Sequence, residues 1–453
     1  MAKVICTELQ KDGASGPNIT LDTSKNVTCE NNLQVDGNVT VTGTLPADKL
    51  TGTAAAINGS NITNLPAANL TGNLPAISGA SLTNLPAGRS HPFRNLIING
   101  AMNVAQRGST STSGSGYKTL DRWGWTAGGS GVDYITQAKV ALTSSDTGPW
   151  EKGFRNCLKI TNGDQSSSSG TANYAFVKYK VEAQDIAQSG WDYTSASSKI
   201  TLSFWIKSSV AQNFHGNLKS EQGTKQNYPF ETGSLSANTW TKITKTIPGH
   251  ANVDVNGTNS DGLSISIRAF TGTDWTDAGV SLNAWAAWAS GTRVPAATST
   301  WWDTNDATFA ITGVQLEVGD TATEFEHIPF QDDLKRCQRY CYMIQANSSG
   351  EPLGLVGYLP STTVVYYPVR FEVPMKGGPT FSKLSTLSIR HISYDDSGST
   401  DTGLIQDVYN ANPTDNSVTA ATLKFTVTGL GSAGTAGQLR AENAGWLKWE
   451  AEL

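Results

Sequence analysis

With 453 residues, a formal net charge of -5 and only 16% charged residues, the chain has length for two or three domains. It lacks the cation excess or dense Lys/Arg run needed to grip a phosphate backbone, which sets aside a nucleic-acid partner. Thirteen each of Trp, Tyr and Phe among 45 Gly favour twisted sheets and tight turns, hence a mainly β chain. No apolar stretch approaches the length of a membrane span, and none follows Lys3 as a secretion signal would require. Five cysteines (Cys6, Cys29, Cys157, Cys337, Cys341) show no paired metal-site spacing and fit folding in a reducing cytoplasm.

In chain order, residues 1–18 are polar and read as an attachment peptide. Residues 19–90 read as a β-rich repeat shaft. Short alternating pieces, Ile19-Thr-Leu21, Val27-Thr-Cys29, Leu33-Gln-Val35 and Val39-Thr-Val41, lead into two copies of one unit. Pro46–Leu65 laid over Pro66–Leu85 matches at eleven of twenty positions. Each copy offers few apolar anchors, such as Leu50, Ile57, Ile62 and Leu65, too few to offset an ordering entropy of about 1–2 kcal/mol per residue. Two copies also fall short of the roughly three stacked units that a solenoid needs. The missing partners are most economically other copies of the chain, which predicts a thin homotrimeric shaft. A flexible linker is the alternative reading.

The composition changes at residue 91. Arg94-Asn-Leu-Ile-Ile-Asn-Gly-Ala-Met-Asn103, Gln106-Arg107-Gly108, Asp121-Arg122-Trp123, Lys199–Ser208 and Phe309–Glu326 follow in order. Together they resemble a domain of bacteriophage tail fibres and related virion appendages, most like those of phages infecting marine cyanobacteria. The resemblance covers about 94–345 and implies a jelly-roll, carbohydrate-module-like β-sandwich over 91–328.

The residues support the sandwich independently. Leu202, Phe204 and Ile206 share one strand face, as do Leu263, Ile265 and Ile267. The opposite faces carry Ser203, Trp205 and Lys207, and Ser264, Ser266 and Arg268. Eleven of thirteen Trp lie between Trp123 and Trp302. Flat aromatics match the apolar faces of sugar rings at low entropy cost, so Trp205, Arg268, Trp275, Trp285, Trp288, Trp301 and Trp302 are the candidate glycan contacts. The competing reading places any one of these Trp in the core.

From Pro329 the pattern turns helical, with acids in the first turn and bases after. Leu334, Cys337, Cys341 and Ile344 are three, four and three apart, a short a/d seam that predicts a connecting helix over 329–345 at a trimer axis. Cys337 and Cys341 read as buried apolar residues rather than metal ligands. Residues 346–453 alternate again and predict a small C-terminal β-sandwich. Arg370–Lys376, Pro379-Thr380 and Glu450–Leu453 resemble the terminal domain of similar fibres.

Catalytic signatures are missing. No phosphate-binding loop, nucleophile elbow or paired zinc-ligand motif occurs, and His91, His215, His250, His327 and His391 are scattered. The pairs Glu324/Glu326, Asp332/Asp333 and Asp395/Asp396 read as turn or helix-start residues, and Asp254–Gly262 as an ordinary turn rather than a Ca²⁺ loop. The expectation is a non-enzymatic homotrimer without cofactor or metal. It would be assembled in the host bacterial cytoplasm and carried on the virion surface. The N-terminus would meet other virion proteins, and avidity would hold host cell-surface polysaccharide or lipopolysaccharide. The alternatives are a purely structural baseplate, neck or capsid decoration, and a glycan-degrading tailspike.

Overall fold

The computed structural model describes residues 94–111, 114–129, 135–163, 170–384, 387–392, 407–410, 417–426 and most of 433–452, together with three short strands before residue 30. The repeat Pro46–Leu85, with Leu50, Ile57, Ile62 and Leu65, lies outside the described residues. The chain divides into two units, Met1–Ser81 and Leu82–Leu453. In the first, β1 (Glu8–Leu9), β2 (Ile19–Leu21) and β3 (Val27–Cys29) form an antiparallel sheet with β2 central.

The second unit begins with twelve strands. They are β4 (Thr110–Ser111), β5 (Gly124–Gly128), β6 (Thr136–Ala141), β7 (Asn156–Thr161), β8 (Tyr174–Glu182) and β9 (Lys199–Ser208), then β10 (Asn213–Ser220), β11 (Gln226–Ser234), β12 (Thr241–Pro248), β13 (Asp261–Thr271), β14 (Ala286–Ala287) and β15 (Thr308–Val318). They build two six-stranded sheets, ordered β14-β11-β10-β13-β8-β5 and β12-β9-β15-β7-β6-β4. The chain passes repeatedly between the sheets, as in a jelly roll. Period-2 alternation decides what lies between them: Leu202, Phe204 and Ile206 on β9 and Leu263, Ile265 and Ile267 on β13 are all buried. Phe204 meets Phe230 and Phe214 meets Phe309 across the gap, with ring centroids 6.5 and 5.3 Å apart.

One irregularity sits in β15. The register shifts between Thr312 and Gln315 where the strand leaves β7 for β9 contacts alone. Gly313 takes φ 62° there, and a Cβ on it would lie 2.6 Å from the Phe154 ring. Only glycine meets both demands.

Three helices appear among the described residues: α1 (Ala183–Gln188), α2 (Thr300–Asp303) and α3 (Phe330–Gln338). After α3 come β16 (Cys341–Ala346), β17 (Pro352–Ser361), β18 (Val364–Arg370), β19 (Thr380–Leu384), β20 (Leu387–Ile392), β21 (Asp407–Asn410), β22 (Ala420–Thr426), β23 (Ala436–Ala441) and β24 (Gly445–Glu450). They form sheets ordered β16-β24-β19 and β20-β23-β17-β18-β22-β21 around a core that includes Tyr367, Phe425, Leu447 and Trp449.

The expected helix over 329–345 is corrected. It ends at Gln338, where Tyr340 N donates to Cys337 O at 2.9 Å and Arg339 turns to grip Glu182 Oε1 and Oε2 at 2.7 and 2.8 Å. Cys341 already belongs to β16, paired with Glu450. The a/d seam therefore does not form. Cys337 and Leu334 pack on Ile98, Val104 and Tyr340, Cys341 is fully buried, and Ile344 packs on the C-terminal core. All four residues make contacts within the chain.

The segments carrying the fibre resemblance turn out to be scaffold. Arg107 donates to Asp121 (2.6 Å), Glu450 (2.8 Å) and Glu452 (2.8 Å), and Arg122 to Glu452 (2.5 Å). Gln106 Nε2 donates to Asp121 Oδ2 and to Cys341 O, and Asn99 N donates to Asp333 Oδ1. The Gln-Arg-Gly and Asp-Arg-Trp motifs thus join the sandwich to the C-terminal strands. Similarly, Gln315 Oε1 accepts from Glu326 N, Glu317 Oε1 accepts from Thr323 N, and Glu326 Oε2 accepts from Asn95 N, which fastens the chain after β15 to the start of the domain.

Candidate functional site on the outward sheet face

The same pleat that buries Leu263, Ile265 and Ile267 turns Ser264, Ser266 and Arg268 to the opposite face. Register places His215 beside Arg268, Asn217 beside Ser266 and Lys219 beside Ser264. On the other side of β13, Phe176 pairs with Arg268, and Lys178 with Ser266. A hydrogen-bonded row crosses these strands. Arg268 Nε and Nη2 donate to Asn217 Oδ1 (3.1 and 2.9 Å), Asn217 Nδ2 to Asn227 Oδ1 (2.9 Å), and Asn227 Nδ2 to Arg293 O (2.8 Å).

The long segment between β13 and α2 runs back along this face. It is tied down by β14 on β11 and by a parallel bridge between Thr276 and Val294. It brings an aromatic and cationic stack: Arg293 lies 4.2 Å from the Trp275 ring centroid and 5.4 Å from that of Trp288, while Lys219 Nζ is 4.5 Å from Trp288. Trp275 is fixed by Nε1 donation to Ala172 O (3.0 Å) and by an edge contact with Tyr174 at 5.8 Å. Arg268 rests on Phe176 at 4.7 Å. Trp275, Trp288, Lys219 and Arg293 are partly exposed beside buried Arg268, Asn217 and Asn227.

Beside this row a cavity of about 360 Å³ opens, lined by Asn227, Pro229, Asp277, Val280, Trp285 and Thr292. That volume admits a sugar residue. Burial, with Arg293 adding repulsion, pushes Arg268 down to about 9, so it stays cationic at neutral pH. Burial likewise lowers His215. Three nitrogens of this face, Arg268 Nη1, Arg293 Nε and His215 Nδ1, have no acceptor or donor.

Of the seven candidate contacts, the structure brings together Arg268, Trp275 and Trp288, with Trp285 at the adjoining cavity. Trp285 is held by Nε1 donation to Pro248 O (2.7 Å) and by its ring against Tyr228. Trp301 and Trp302 are corrected to core residues, 0% and 1% exposed. The single turn of α2 points both inward, where Trp301 meets Trp125 and Phe309, and Trp302 meets Phe270. Trp205 belongs to the other sheet, half-buried with Phe154 and Trp240, and does not join the cluster.

The sequence reading missed Asn217, Asn227, Lys219, Tyr174, Phe176 and Arg293. A signal for two of them existed: in Tyr174–Glu182 the outward residues Tyr174, Phe176, Lys178 and Lys180 alternate with buried Ala175, Val177, Tyr179 and Val181.

Elsewhere, Asp333 caps Asn99, and Glu324 pairs with Lys152 on the surface. In the 254–262 loop, Asn256 Oδ1 accepts from Thr258 N and Oγ1 while Asp261 pairs with Lys180, the internal bonding of a turn. Asp395 and Asp396 lie outside the described residues.

No family model and no curated protein matches the chain. Among solved structures, the chain is similar to the carbohydrate-binding module CBM4 (11% identity over 49% of this chain and 97% of that one, TM-score 0.24). It is also similar to the enzymatically active domain of bacteriophage CBA120 tailspike protein 4 (10%, 50% and 22%, TM-score 0.26). A third is the N-terminal CBM22-1-CBM22-2 tandem of Paenibacillus barcinonensis Xyn10C (10%, 76% and 94%, TM-score 0.23).

Proposed function

We propose that this chain is a phage virion fibre protein that binds host-surface glycan, without cleaving it, through the outward face of β11, β10, β13 and β8. The observation carrying the glycan reading is the juxtaposition of partly exposed Trp275 and Trp288 with the fixed amides of Asn217 and Asn227 and an adjoining cavity of about 360 Å³. Aromatic faces take the apolar side of a sugar ring, and preorganised amides take its hydroxyls. The virion setting rests on the fibre resemblance of the scaffold motifs, and trimer avidity on the repeat. In this reading the residues 1–18 meet other virion proteins, and the ligand is a host polysaccharide or lipopolysaccharide.

The test is retention of the full chain on immobilised host-surface polysaccharide, with wild type set beside Trp288→Ala and Asn217→Ala. Retention by wild type that drops at least tenfold in both variants is expected, since one good contact is worth about 1.4 kcal/mol. Equal retention of all three would move binding away from this face. Release of reducing ends from the polysaccharide would replace the binding role with a degrading one.

A further inference from the structure

Among the described residues, Arg268 differs from the other buried arginine side chains, Arg107 and Arg122. It is 4% exposed. Its Nε–Nη2 edge is occupied by Asn217 Oδ1, its Nη1 has no acceptor, and its flat face rests on Phe176. A guanidinium taken out of water is ordinarily matched by a carboxylate, because only an opposite charge replaces the lost hydration. Buried Arg107 and Arg122 follow that rule with Asp121, Glu450 and Glu452.

Around Arg268 the acids are engaged elsewhere. Glu221 holds Lys219, Lys225 and Ser264. Glu231 accepts from Asn213, and Asp277 caps Gly279. The charged group that acts on Arg268 is a second cation, Arg293, whose own Nε also lacks an acceptor. On a chain of net charge -5, this face gathers Lys219, Lys225, Arg268 and Arg293.

The geometry points to a counter-charge that arrives with the ligand: we infer that the glycan taken by this face is acidic. Its carboxylate or sulfate would meet the Nη1 end of Arg268, with partly exposed Arg293 as the second contact. Both anions present paired oxygens that match the donors of a guanidinium fork, and Arg268 Nη1 is a buried donor with no acceptor of its own. The inference rests on the glycan-binding reading above and narrows it from sugars in general to acidic ones. It also explains why an unmatched cation is kept where an apolar side chain would fold at least as well.

The experiment compares binding of the full chain to paired probes by titration calorimetry. Oligogalacturonate and oligomannuronate are each set beside their carboxyl-reduced forms, and a sulfated galactan oligosaccharide beside its desulfated form. Binding to an acidic member about tenfold or more above its neutral counterpart, weakened by salt, supports the inference. The pair that shows the difference tells carboxylate from sulfate. Equal binding within every pair, or binding to no acidic probe, overturns the inference, while the glycan reading itself stands or falls on the host polysaccharide test above.

Arg268→Met and Arg293→Gln provide the second arm. Arg268→Met should lose the preference for the acidic probe while its thermal midpoint in the absence of sugar stays level or rises, because a buried unmatched charge is removed. A lowered midpoint with the preference retained would make Arg268 structural and overturn the inference. Arg293→Gln, on the solvent side, should weaken the same preference with the fold unchanged; a preference equal to wild type would remove Arg293 from the site.

Discussion

The guanidinium of Arg122 lies 3.5 Å from the centroid of the Tyr340 ring. It is also 5.2 Å from the centroid of the Tyr179 ring, and its Nη1 donates to Glu452. Tyr340 in turn donates its hydroxyl to Glu182, which Arg339 holds with two hydrogen bonds. Cations, rings and carboxylates therefore form one continuous connection from the sandwich, through the turn after α3, to the C-terminal strands.

Removing one member of this connection strands the others. Glu452→Ala leaves Arg107 and Arg122, 3% and 1% exposed at their side chains, short of an acceptor each. Breaking a buried pair from one side costs about 3 kcal/mol or more. Urea unfolding should show that loss, and Glu452→Gln, which keeps an acceptor oxygen, should lose less. Equal stability of wild type and Glu452→Ala would mean that water already serves these arginines.

Asp121 gives the same junction a pH signature. Burial raises its carboxyl to about 6, against the opposing pull of Arg107 and of hydrogen bonds from Gln106. The folded value lies above the ordinary 3.8. Its contribution to stability is therefore fully present below that value and lost as pH rises through about 6. The stability of wild type relative to Asp121→Asn should fall between pH 4 and 6 in denaturant titrations. A difference that stays flat across that window would contradict the shifted carboxyl.

Asp146 should act in the opposite direction. Burial would raise it, but hydrogen bonds from Lys207 and Trp240 outweigh burial and hold the carboxyl at about 2. Its stabilisation is present above the ordinary value and lost as pH falls toward 2. Because Lys207 is partly exposed, solvent screening keeps the effect small. NMR titration of the Asp146 carboxyl checks it directly, and an ordinary midpoint near 3.8 would remove the claim.

Two tryptophans separate core from surface. Trp302→Ala empties a site packed against Phe270 and should destabilise by about 3–5 kcal/mol. Trp288→Ala, on a partly exposed ring, should change stability by under about 1 kcal/mol while reducing glycan retention. Comparable melting losses in the two variants would contradict the assignment.

Gly313→Ala tests the bulge of β15. It places a methyl 2.6 Å from the Phe154 ring on a residue with φ 62° and should destabilise by about 1–3 kcal/mol. Phe154→Leu in the same chain should return part of that loss if the ring is the obstacle.

Strand alternation was legible because a buried face repeats every second residue: Leu202, Phe204 and Ile206 announced both a strand and its inward side. Arg268 and the loop tryptophans were legible as types, since their chemistry departs from the Ser and Thr around them. Which tryptophans share a surface was not, because α2 turns Trp301 and Trp302 inward and the path of the 272–299 segment depends on pairing with β11. Asn217 and Asn227 look like ordinary turn residues until register sets them side by side. The helical seam misled for a local reason: three-and-four spacing continued through Cys341, while the turn at Arg339, held by Glu182 from far upstream, ended the helix.

Arg107 and Arg122 wait for an acceptor that lies 345 and 330 residues later in the chain. At a synthesis rate of about 5–20 residues per second, that interval is on the order of tens of seconds. During it the sandwich can bury its apolar faces while Arg122 has no carboxylate and Arg107 has only Asp121. A chain cut between the sandwich and β24 therefore keeps an open, charged seam where the sandwich meets the missing strands.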